Sequence, residues 1–263
     1  MIVTTAGRTN ETMVELAKKT AVELNIPFYE RKKRSIAMIQ EQMNEDILVV
    51  GKNRIEIHPL HGDEPLFFHP NSAMFRMKRI MNGEHDPFIN PSGIKQGSTI
   101  LDCTLGLGSD SIVASFVVGE LGNVTSLEGN KYLYYLLKGG LKSWDTGYPD
   151  LNKALSRIDV IHDTYERYLA KCPSKSVDVV YFDPMFEETI EESEGIKGLR
   201  HFAIYTTLSS EVIENAKRVA REKVVLKDHW KSEQFERYGF NVMKRKTAKF
   251  HFGVIDVGEY LEP

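Results

Sequence analysis

The chain has 263 residues, of which 41% are hydrophobic and 27% charged, and its formal net charge is −3. This composition is typical of a globular protein with one large domain, or a medium domain and a small one, and it excludes a globally basic nucleic-acid-binding protein. The sequence has no apolar run near the ~20 residues of a membrane span and no signal-peptide pattern at its start. Two cysteines are too few for a disulfide framework or a zinc site. We therefore expect a cytoplasmic protein with no metal site and no membrane partner.

The N-terminal part, residues 1–70, is predicted to form a small α/β domain. Asn10 and Ser35 are suited to cap two helices, because each precedes apolar residues at helical spacing. The strands predicted for this part lie at 2–5, 28–29, 46–50 and 54–57, and the last two form a hairpin around Gly51.

Aromatic, methionine and basic residues alternate in the next stretch, 67–80. We predict a helix here that packs Met74 and Phe75 on the core. The basic side chains of this stretch cannot all be buried, so we expect them to face solvent or a polyanion: Arg76, Lys78 and Arg79.

Two further basic clusters lie at 31–34 and 244–249. Any single cluster of this kind is most often a solvated face. Three of them in a mildly acidic chain favour local contacts with a polyanion such as a nucleic acid.

The remainder, residues 71–263, alternates between predicted strands and helices from Thr99 onward. This alternation predicts a mostly parallel sheet with helices on both faces, in which ligands bind at the carboxyl ends of the strands. The later elements are predicted as a helix at 203–220 and strands at 123–128, 157–161, 177–182, 223–226, 240–246 and 249–257.

A glycine turn at Gly106 and Gly108 follows the strand that ends in Asp102. The third glycine of the dinucleotide pattern G-x-G-x-x-G is missing, because Ser109, Asp110 and another serine follow. Acidic residues repel a pyrophosphate and attract a cation, so the turn favours S-adenosylmethionine, which carries a sulfonium and no phosphate. The alternative is a turn that only joins strand to helix.

Acidic residues end four predicted strands: Asp102, Glu128, Asp163 and Asp183. Glu128 lies about 20 residues beyond the glycine turn, where an acid can accept hydrogen bonds from ribose hydroxyls. Asp163 is placed to accept from an adenine amino group, or to cap the next helix. We include the adjoining Gly129 and Thr164 in this predicted cofactor site.

The segment 183–186, with the sequence DPMF, gives the most specific functional signal. The carboxylate of Asp183 can accept hydrogen bonds from an exocyclic amine, Pro184 fixes the backbone, and Phe186 can stack on a planar base. Holding such a weak nucleophile in line with a methyl donor would supply much of the rate. The alternative is a tight turn with Phe186 in the core.

The chain resembles the class I S-adenosylmethionine-dependent methyltransferases, and within them the RsmJ-type 16S ribosomal RNA guanine-N2 methyltransferases. The resemblance covers roughly Ser72 to the C-terminus. It is carried by the segments 72–79 (SAMFRMKR), 93–95 (GIK), 103–110 (CTLGLGSD), 127–128 (LE), 161–162 (IH) and 179–186 (VVYFDPMF).

This resemblance implies a Rossmann-like fold with a seven-stranded, mostly parallel sheet and an antiparallel last strand. It also implies S-adenosylmethionine as cofactor, bound at the first four strand ends, and ribosomal RNA or the small ribosomal subunit as partner, with Arg76, Lys78 and Arg79 on the RNA backbone. The chain departs from the family at Ser109, Gly129 and Glu187, where the family has arginine, a basic residue and proline.

Other activities remain open from the sequence. The chain could methylate tRNA or a small molecule, or it could sense the cofactor or bind the ribosome without turnover. An NAD-dependent oxidoreductase is the weakest alternative, because the third glycine of the dinucleotide pattern is absent. The acidic run 187–194 beside the pocket leaves the RNA target open as well.

Overall fold

The computed structural model describes residues 1–62, 64–184, 201–202, 208–246 and 248–258. The described residues form two compact units. The first comprises Met1–His69 and Lys131–Ser143 together with residues 201–202, and the second comprises Pro70–Asn130 and the remaining described residues. The domain boundary at 70/71 stays a prediction.

Strands and helices alternate through most of the described chain. The strands are β1 (Ile2–Thr5), β2 (Ile47–Val50), β3 (Ile55–His58), β4 (Leu66–Phe67), β5 (Thr99–Asp102), β6 (Asn123–Leu127), β7 (Asp159–Ile161), β8 (Val177–Phe182), β9 (Ala220–His229), β10 (Asn241–Met243) and β11 (Phe250–Asp256). The helices are α1 (Glu11–Leu24), α2 (Ile36–Met43), α3 (Asn71–Met81), α4 (Ile89–Ser92), α5 (Ser109–Val118), α6 (Lys131–Ser143), α7 (Pro149–Ser156), α8 (Tyr165–Lys171), α9 (Ser210–Val219) and α10 (Gln234–Arg237).

The first unit contains a four-stranded sheet in the order β1-β2-β3-β4. β1 runs parallel to β2, and β2-β3 is the predicted hairpin. The side chains of Asn10 and Ser35 cap α1 and α2 as predicted, each accepting a backbone N–H three residues onward. The predicted strand at 28–29 makes only a single bridge, between Val3 and Phe28.

The second unit contains a seven-stranded sheet in the order β10-β11-β9-β8-β5-β6-β7. Strands β5 to β9 are parallel, and β11 pairs antiparallel with both β9 and β10. The predicted fold class is therefore confirmed. The central strands are buried on both faces, as parallel strands between helices must be; in β8, Val180, Tyr181 and Phe182 are at most 1% exposed.

Two predictions about helices were wrong in part. In α3 the buried residues are Ala73 and Met77, whereas Phe75 is 65% exposed. Residues 73 and 77 are one helical turn apart and share a face, which turns residue 75 outward. The predicted helix at 203–220 begins at 210, because Ser209 caps it; residues 203–207 lie outside the described residues.

Three predicted strands have ends that differ by two or more residues from the structure: β7 begins at 159, β9 runs from 220 to 229, and β10 stops at 243. None of the described helices is both long enough and apolar enough to cross a membrane.

Two adjacent glycines of α6 have different surroundings. A Cβ built on Gly140 would lie 2.4 Å from Cγ of Phe68, within the same unit. A Cβ on Gly139 would meet nothing within 4 Å. The helix can therefore approach Phe68 only because residue 140 has no side chain.

This pair gives a matched test of packing. Gly140→Ala is expected to lower the free energy of unfolding by about 1–3 kcal/mol, because the added methyl group overpacks the contact with Phe68. Gly139→Ala is expected to raise it by up to about 1 kcal/mol, because alanine is the better helix former. Urea denaturation followed by circular dichroism measures both. Equal effects of the two substitutions would contradict the close approach.

Candidate functional site

The carboxyl ends of four neighbouring parallel strands lie side by side in the second unit. Their order is β7-β6-β5-β8, and the register pairs the end of β5 with both of its neighbours. Asp102 ends β5, and Glu128, Asp163 and Asp183 directly follow β6, β7 and β8 or lie one residue beyond. The structure therefore brings the four acids to one edge of the sheet, where ligands of such folds bind.

The glycine turn leaves its backbone accessible beside this edge. Gly106 and Gly108 have left-handed φ angles of 52° and 77°, which favour glycine. Within 4 Å, a Cβ on Gly106 would meet only the carbonyl oxygen of Thr104, at 3.9 Å. α5 starts at Ser109 without a capping side chain from Gly108, so N–H groups of its first turn can take an acceptor.

Asp102 is buried and holds the turn together. Its carboxylate accepts hydrogen bonds from the backbone N of Thr104 at 3.0 Å and from Oγ of Ser111 at 2.5 Å, and Ser111 also contacts Oγ of Ser126 at 2.7 Å. Burial raises the pKa of Asp102 to about 7 despite these hydrogen bonds. The described contacts of Asp102 thus order the loop that a ligand would meet.

Glu128 is 9% exposed and lies at the end of the next strand. Its Oε1 accepts the backbone N–H of Asn130 at 2.8 Å, and burial raises its pKa to about 7. The carbonyl of the adjoining Gly129 lies 3.1 Å from Nε2 of His162. A nearly buried carboxylate whose donors are the local backbone N–H groups of Gly129 and Asn130 retains acceptor capacity for hydroxyl groups.

Asp163 lies beyond β7 and contacts its own helix. Its Oδ1 accepts from Nε of Arg167 at 2.6 Å and from the backbone N of Thr164 at 2.9 Å. Thr164 is the residue before α8. The alternative that Asp163 caps α8 is therefore wrong, because the N-cap is Thr164 and no side chain caps the helix. An adenine amino group would share the Asp163 carboxylate with Arg167.

A series of charged side chains joins Asp183 to the first turn of α5. We call this series, Arg76, Asp110, Lys227 and Asp183, the charge chain. Nζ of Lys227, on β9, lies 2.6 Å from Oδ2 of Asp183 and 3.4 Å from Oδ2 of Asp110. The hydroxyl of Tyr181 also donates to Oδ2 of Asp110, at 2.8 Å. Arg76 completes the chain on the other oxygen of Asp110, at 2.5 Å.

Burial and these neighbours set the protonation states. Burial raises the pKa of Asp183 above its ordinary value, against the opposing effect of Lys227. Burial acts in the same direction on Asp110, but Lys227 and Arg76 outweigh it and hold the pKa of Asp110 well below its usual range. Burial lowers the pKa of Lys227, yet the two carboxylates raise it overall. Lys227 is therefore an ammonium, and Asp110 is its constant counter-ion.

The contacts of Arg76 differ from those expected of a residue that binds RNA. Its Nε and Nη2 each donate to Asp86 at 2.8 Å, and its Nη1 donates to Asp110 and, at 3.3 Å, to Oγ of Ser109. The Arg76 side chain is 18% exposed. Because two carboxylates surround the guanidinium, its charge is compensated inside the protein.

The other two basic residues of α3 are more accessible. The ammonium of Lys78 lies 4.7 Å from the ring centroid of Tyr148, and Arg79 pairs with Glu84 at 2.7 Å on the surface. Surface pairs of this kind exchange readily with water or a phosphate. Of the three residues predicted to contact RNA, Lys78 and Arg79 remain accessible to a polyanion.

The pocket predicted around 183–186 is described only in part. Asp183 is half-buried, with its side chain 28% exposed, and its backbone N donates to Oγ1 of Thr104 at 2.6 Å. Pro184 is buried. Phe186 lies outside the described residues.

Sequence reasoning missed Lys227, the direct partner of Asp183. The predicted strand ended at Leu226, three residues before the end of β9 and one residue before Lys227. A lysine that continues a buried parallel strand was the available signal, because such a side chain needs a carboxylate partner.

These residues fit S-adenosylmethionine. The open backbone at Gly106 can take a close ligand, Glu128 can hold ribose hydroxyls, and the acid-rich edge suits a sulfonium and an amino group. When bound there, S-adenosylmethionine would supply an electrophilic methyl group. The sheet order, the glycine turn and the acid-lined strand ends together define a class I S-adenosylmethionine-dependent methyltransferase.

Comparison with known proteins places the chain within this class. The family model described as "Putative SAM-dependent methyltransferase" matches residues 31–254. The chain belongs to this family, and its cofactor is S-adenosylmethionine.

Several relatives are known by sequence. The chain is 48% identical over 254 residues to the uncharacterized protein YpiP of Bacillus subtilis (strain 168), a match that covers 97% of this chain and 98% of that protein. It is 29% identical over 175 residues to ribosomal RNA small subunit methyltransferase J of Laribacter hongkongensis (strain HLHK9), covering 64% and 60%. The match to the enzyme of the same name from Acinetobacter baylyi is 33% over 106 residues, covering 40% and 38%. Both matches thus cover less than two thirds of the length of the methyltransferase J relatives.

A solved structure shares the fold over nearly the whole chain. It is the S-adenosylmethionine-dependent methyltransferase NGO1261 from Neisseria gonorrhoeae, with a TM-score of 0.59, 17% identity, and coverage of 97% of this chain and 96% of that one. At this identity the likeness concerns the fold.

The charge chain generates a stability prediction. Arg76→Ala is expected to lower the free energy of unfolding by about 3–5 kcal/mol, because it leaves the buried Asp86 without its cation and Asp110 with Lys227 alone. The matched control is Arg79→Ala on the same helix, expected to cost less than about 1 kcal/mol. Urea denaturation followed by tryptophan fluorescence measures both, since Trp144 and Trp230 lie in the second unit. If Arg76→Ala costs no more than Arg79→Ala, Arg76 is not structural.

Proposed function

We propose that this chain methylates an exocyclic base amine, namely N2 of a guanine in small-subunit ribosomal RNA. The observation that carries the proposal is the Asp183 carboxylate, half-buried at the end of β8, with its Oδ2 on Nζ of Lys227 and its backbone N on Oγ1 of Thr104 in the glycine turn. The names of the methyltransferase J relatives and the resemblance of segment 179–186 to that family support ribosomal RNA as the substrate.

Asp183 would orient the target amine and take its proton. The carboxylate accepts a hydrogen bond from the amine N–H, which directs the nitrogen lone pair at the methyl group. The N–C bond would form as the methyl group leaves the sulfonium sulfur, and Asp183 would stabilise the positive charge that passes to the nitrogen. Because burial raises its pKa, Asp183 is a better proton acceptor than a surface aspartate when the nitrogen loses its proton.

The cofactor would be held along the edge of the sheet. The backbone of Gly106, Gly108 and Ser109 would cradle it, and Glu128 with Gly129 would bind its ribose. Asp163 and Thr164 would face its adenine. Asp102 and Asp110 would act mainly by ordering the turn and by setting the negative potential near the sulfonium.

The RNA would present its target base unstacked, because a methyltransferase cannot reach the amine inside a duplex. Lys78 and Arg79 would contact the backbone as exposed cations. Pro184 would shape the mouth of the pocket, and Phe186 would stack on the base. The acidic run 187–194 lies outside the described residues.

The role of Glu128 makes cofactor affinity depend on pH. Its pKa of about 7 in the free protein means that protonation below pH 7 removes the better acceptor. We expect affinity for S-adenosylhomocysteine to fall as the pH decreases from 8 to 6, approaching about tenfold one unit below the pKa. In Glu128→Gln this dependence should disappear.

Isothermal titration calorimetry at several pH values measures this effect. Asp102→Asn is the necessary control, because the pKa of Asp102 is also about 7. A pH dependence that survives in Glu128→Gln and vanishes in Asp102→Asn would assign the effect to Asp102 instead.

The role of Asp183 is tested by removing its carboxylate. Asp183→Ala is expected to slow methyl transfer about 100-fold or more, because the amine loses its acceptor and its electrostatic partner. Cofactor affinity should change little, and Lys227 keeps Asp110 as a partner. The control is Asp150→Ala, an exposed acid on α7, which should behave like the unmodified protein.

The assay is single-turnover transfer of tritiated methyl to small ribosomal subunits from cells that lack this protein, followed by nucleoside mass spectrometry. N2-methylguanosine is the expected product. Transfer to tRNA alone, or to none of these RNAs, would contradict the proposed substrate. Near-normal turnover of Asp183→Ala would contradict the proposed role of Asp183.

A further inference from the structure

An exposed tryptophan lies close to the proposed target pocket. Trp230 follows β9 directly, three residues after Lys227, whose ammonium contacts Asp183. Three residues of extended chain span about 10 Å. Trp230 is 52% exposed, which is unusual for so large an apolar side chain.

The third basic cluster lies at the same edge of the sheet. Because β11 runs antiparallel to β9, its first residue, Phe250, pairs with the last residue of β9, His229. Lys249, the residue before β11, therefore lies at the carboxyl edge, where its carbonyl accepts from the backbone N of Trp230 at 2.9 Å. Residues 244–246 follow the end of β10, where Met243 pairs with Phe252. The sequence predicted only a general contact of this cluster with a polyanion.

The surface around Trp230 combines aromatic and positive groups. Nζ of Lys231 lies 5.0 Å from the Trp230 ring centroid, and the His229 ring lies at 5.8 Å. Within the described part of the chain, four exposed cations here form no salt bridge: Lys231, Lys244, Arg245 and Lys246.

These cations have no acidic partner among the described residues, which stands out in a chain with a net charge of −3. Glu233 is the exposed acid closest to them in sequence. An excess of positive charge beside an exposed ring matches a partner that is both anionic and aromatic. Single-stranded RNA meets both conditions, since its phosphates pair with lysine and arginine while its bases stack on aromatic rings.

We propose that Trp230 and the basic residues beside it bind the single-stranded RNA next to the target base. We call this set, Trp230, Lys231 and 244–246, the stacking surface. Trp230 stacks a flanking base, and the cations contact the neighbouring phosphates. The inference rests on the proposed function in that the substrate is RNA, and it adds a contact site separate from α3.

The first test reads Trp230 directly. Trp144→Phe leaves Trp230 as the only tryptophan in the chain. Binding of a single-stranded oligoribonucleotide should quench its fluorescence, because a base stacks on the ring. Quenching by anionic lipid vesicles or polyglutamate with no response to RNA would identify a different partner and overturn the proposal, as would no response to any of them.

The second test uses binding of a fluorescein-labelled oligoribonucleotide, measured by anisotropy. Trp230→Ala should weaken binding about tenfold, whereas Trp230→Phe should retain most of it. The double variant Lys231→Glu with Arg245→Glu should reduce the slope of log affinity against log salt by about 1.4, at ~0.7 for each phosphate contact. The matched control is Lys153→Glu with Lys171→Glu, at the ends of α7 and α8 away from the carboxyl edge, which should leave the slope unchanged.

The third test separates this inference from the proposed function. In the methylation assay, Trp230→Ala should raise KM for the ribosomal substrate about tenfold with little change in kcat or in S-adenosylhomocysteine affinity. Normal KM in an active enzyme overturns the stacking surface and leaves the function intact. If RNA binding shows the expected quenching and salt dependence but the protein methylates no RNA, the proposed function is overturned and the stacking surface is retained.

Discussion

The charge chain Arg76-Asp110-Lys227-Asp183 is the interaction on which the candidate site depends. Each of its ions is largely removed from water, which is costly unless every charge has partners. The chain links a helix before the sheet, the first turn of α5, and two adjacent strands. Any movement of these elements would separate opposite charges in a poorly solvated place. The same interaction that holds the site in position also keeps Asp183 beside a permanent cation.

Much of the second unit could be predicted from sequence, because strand and helix periodicity, the glycine turn and the strand-end acids are local signals. Asp102 and Glu128 were found from their positions alone. The sequence did not reveal the role of Lys227 or the carboxylates around Arg76, because the partners lie far away along the chain. Asp183 precedes Lys227 by more than forty residues, and Asp110 follows Arg76 by more than thirty. Phe75 was misplaced for a different reason, since composition indicated a buried ring and only helical phase shows which face it occupies.

Fold and substrate are determined by different parts of this molecule. The parallel sheet explains why acids collect at one edge, which is the edge where ligands of such folds bind. Function within a shared fold depends on the side chains at its site, and here these include Asp183 and its partner Lys227. A protein of this fold can therefore exchange its substrate by changing a few residues at strand ends while its cofactor site stays the same.

The helix α6 has a consequence for how the chain can be divided. It follows β6 in sequence and precedes β7, yet it packs with the first unit, where Gly140 lies against Phe68. The first unit is therefore not a continuous piece of chain, and the polypeptide passes from one unit to the other more than once. A fragment beginning at residue 71 would carry α6 without the part of the first unit that it packs with, including Phe68. Such a fragment would tend to aggregate, and an evolutionary loss or exchange of the N-terminal segment would have to replace this contact at the same time.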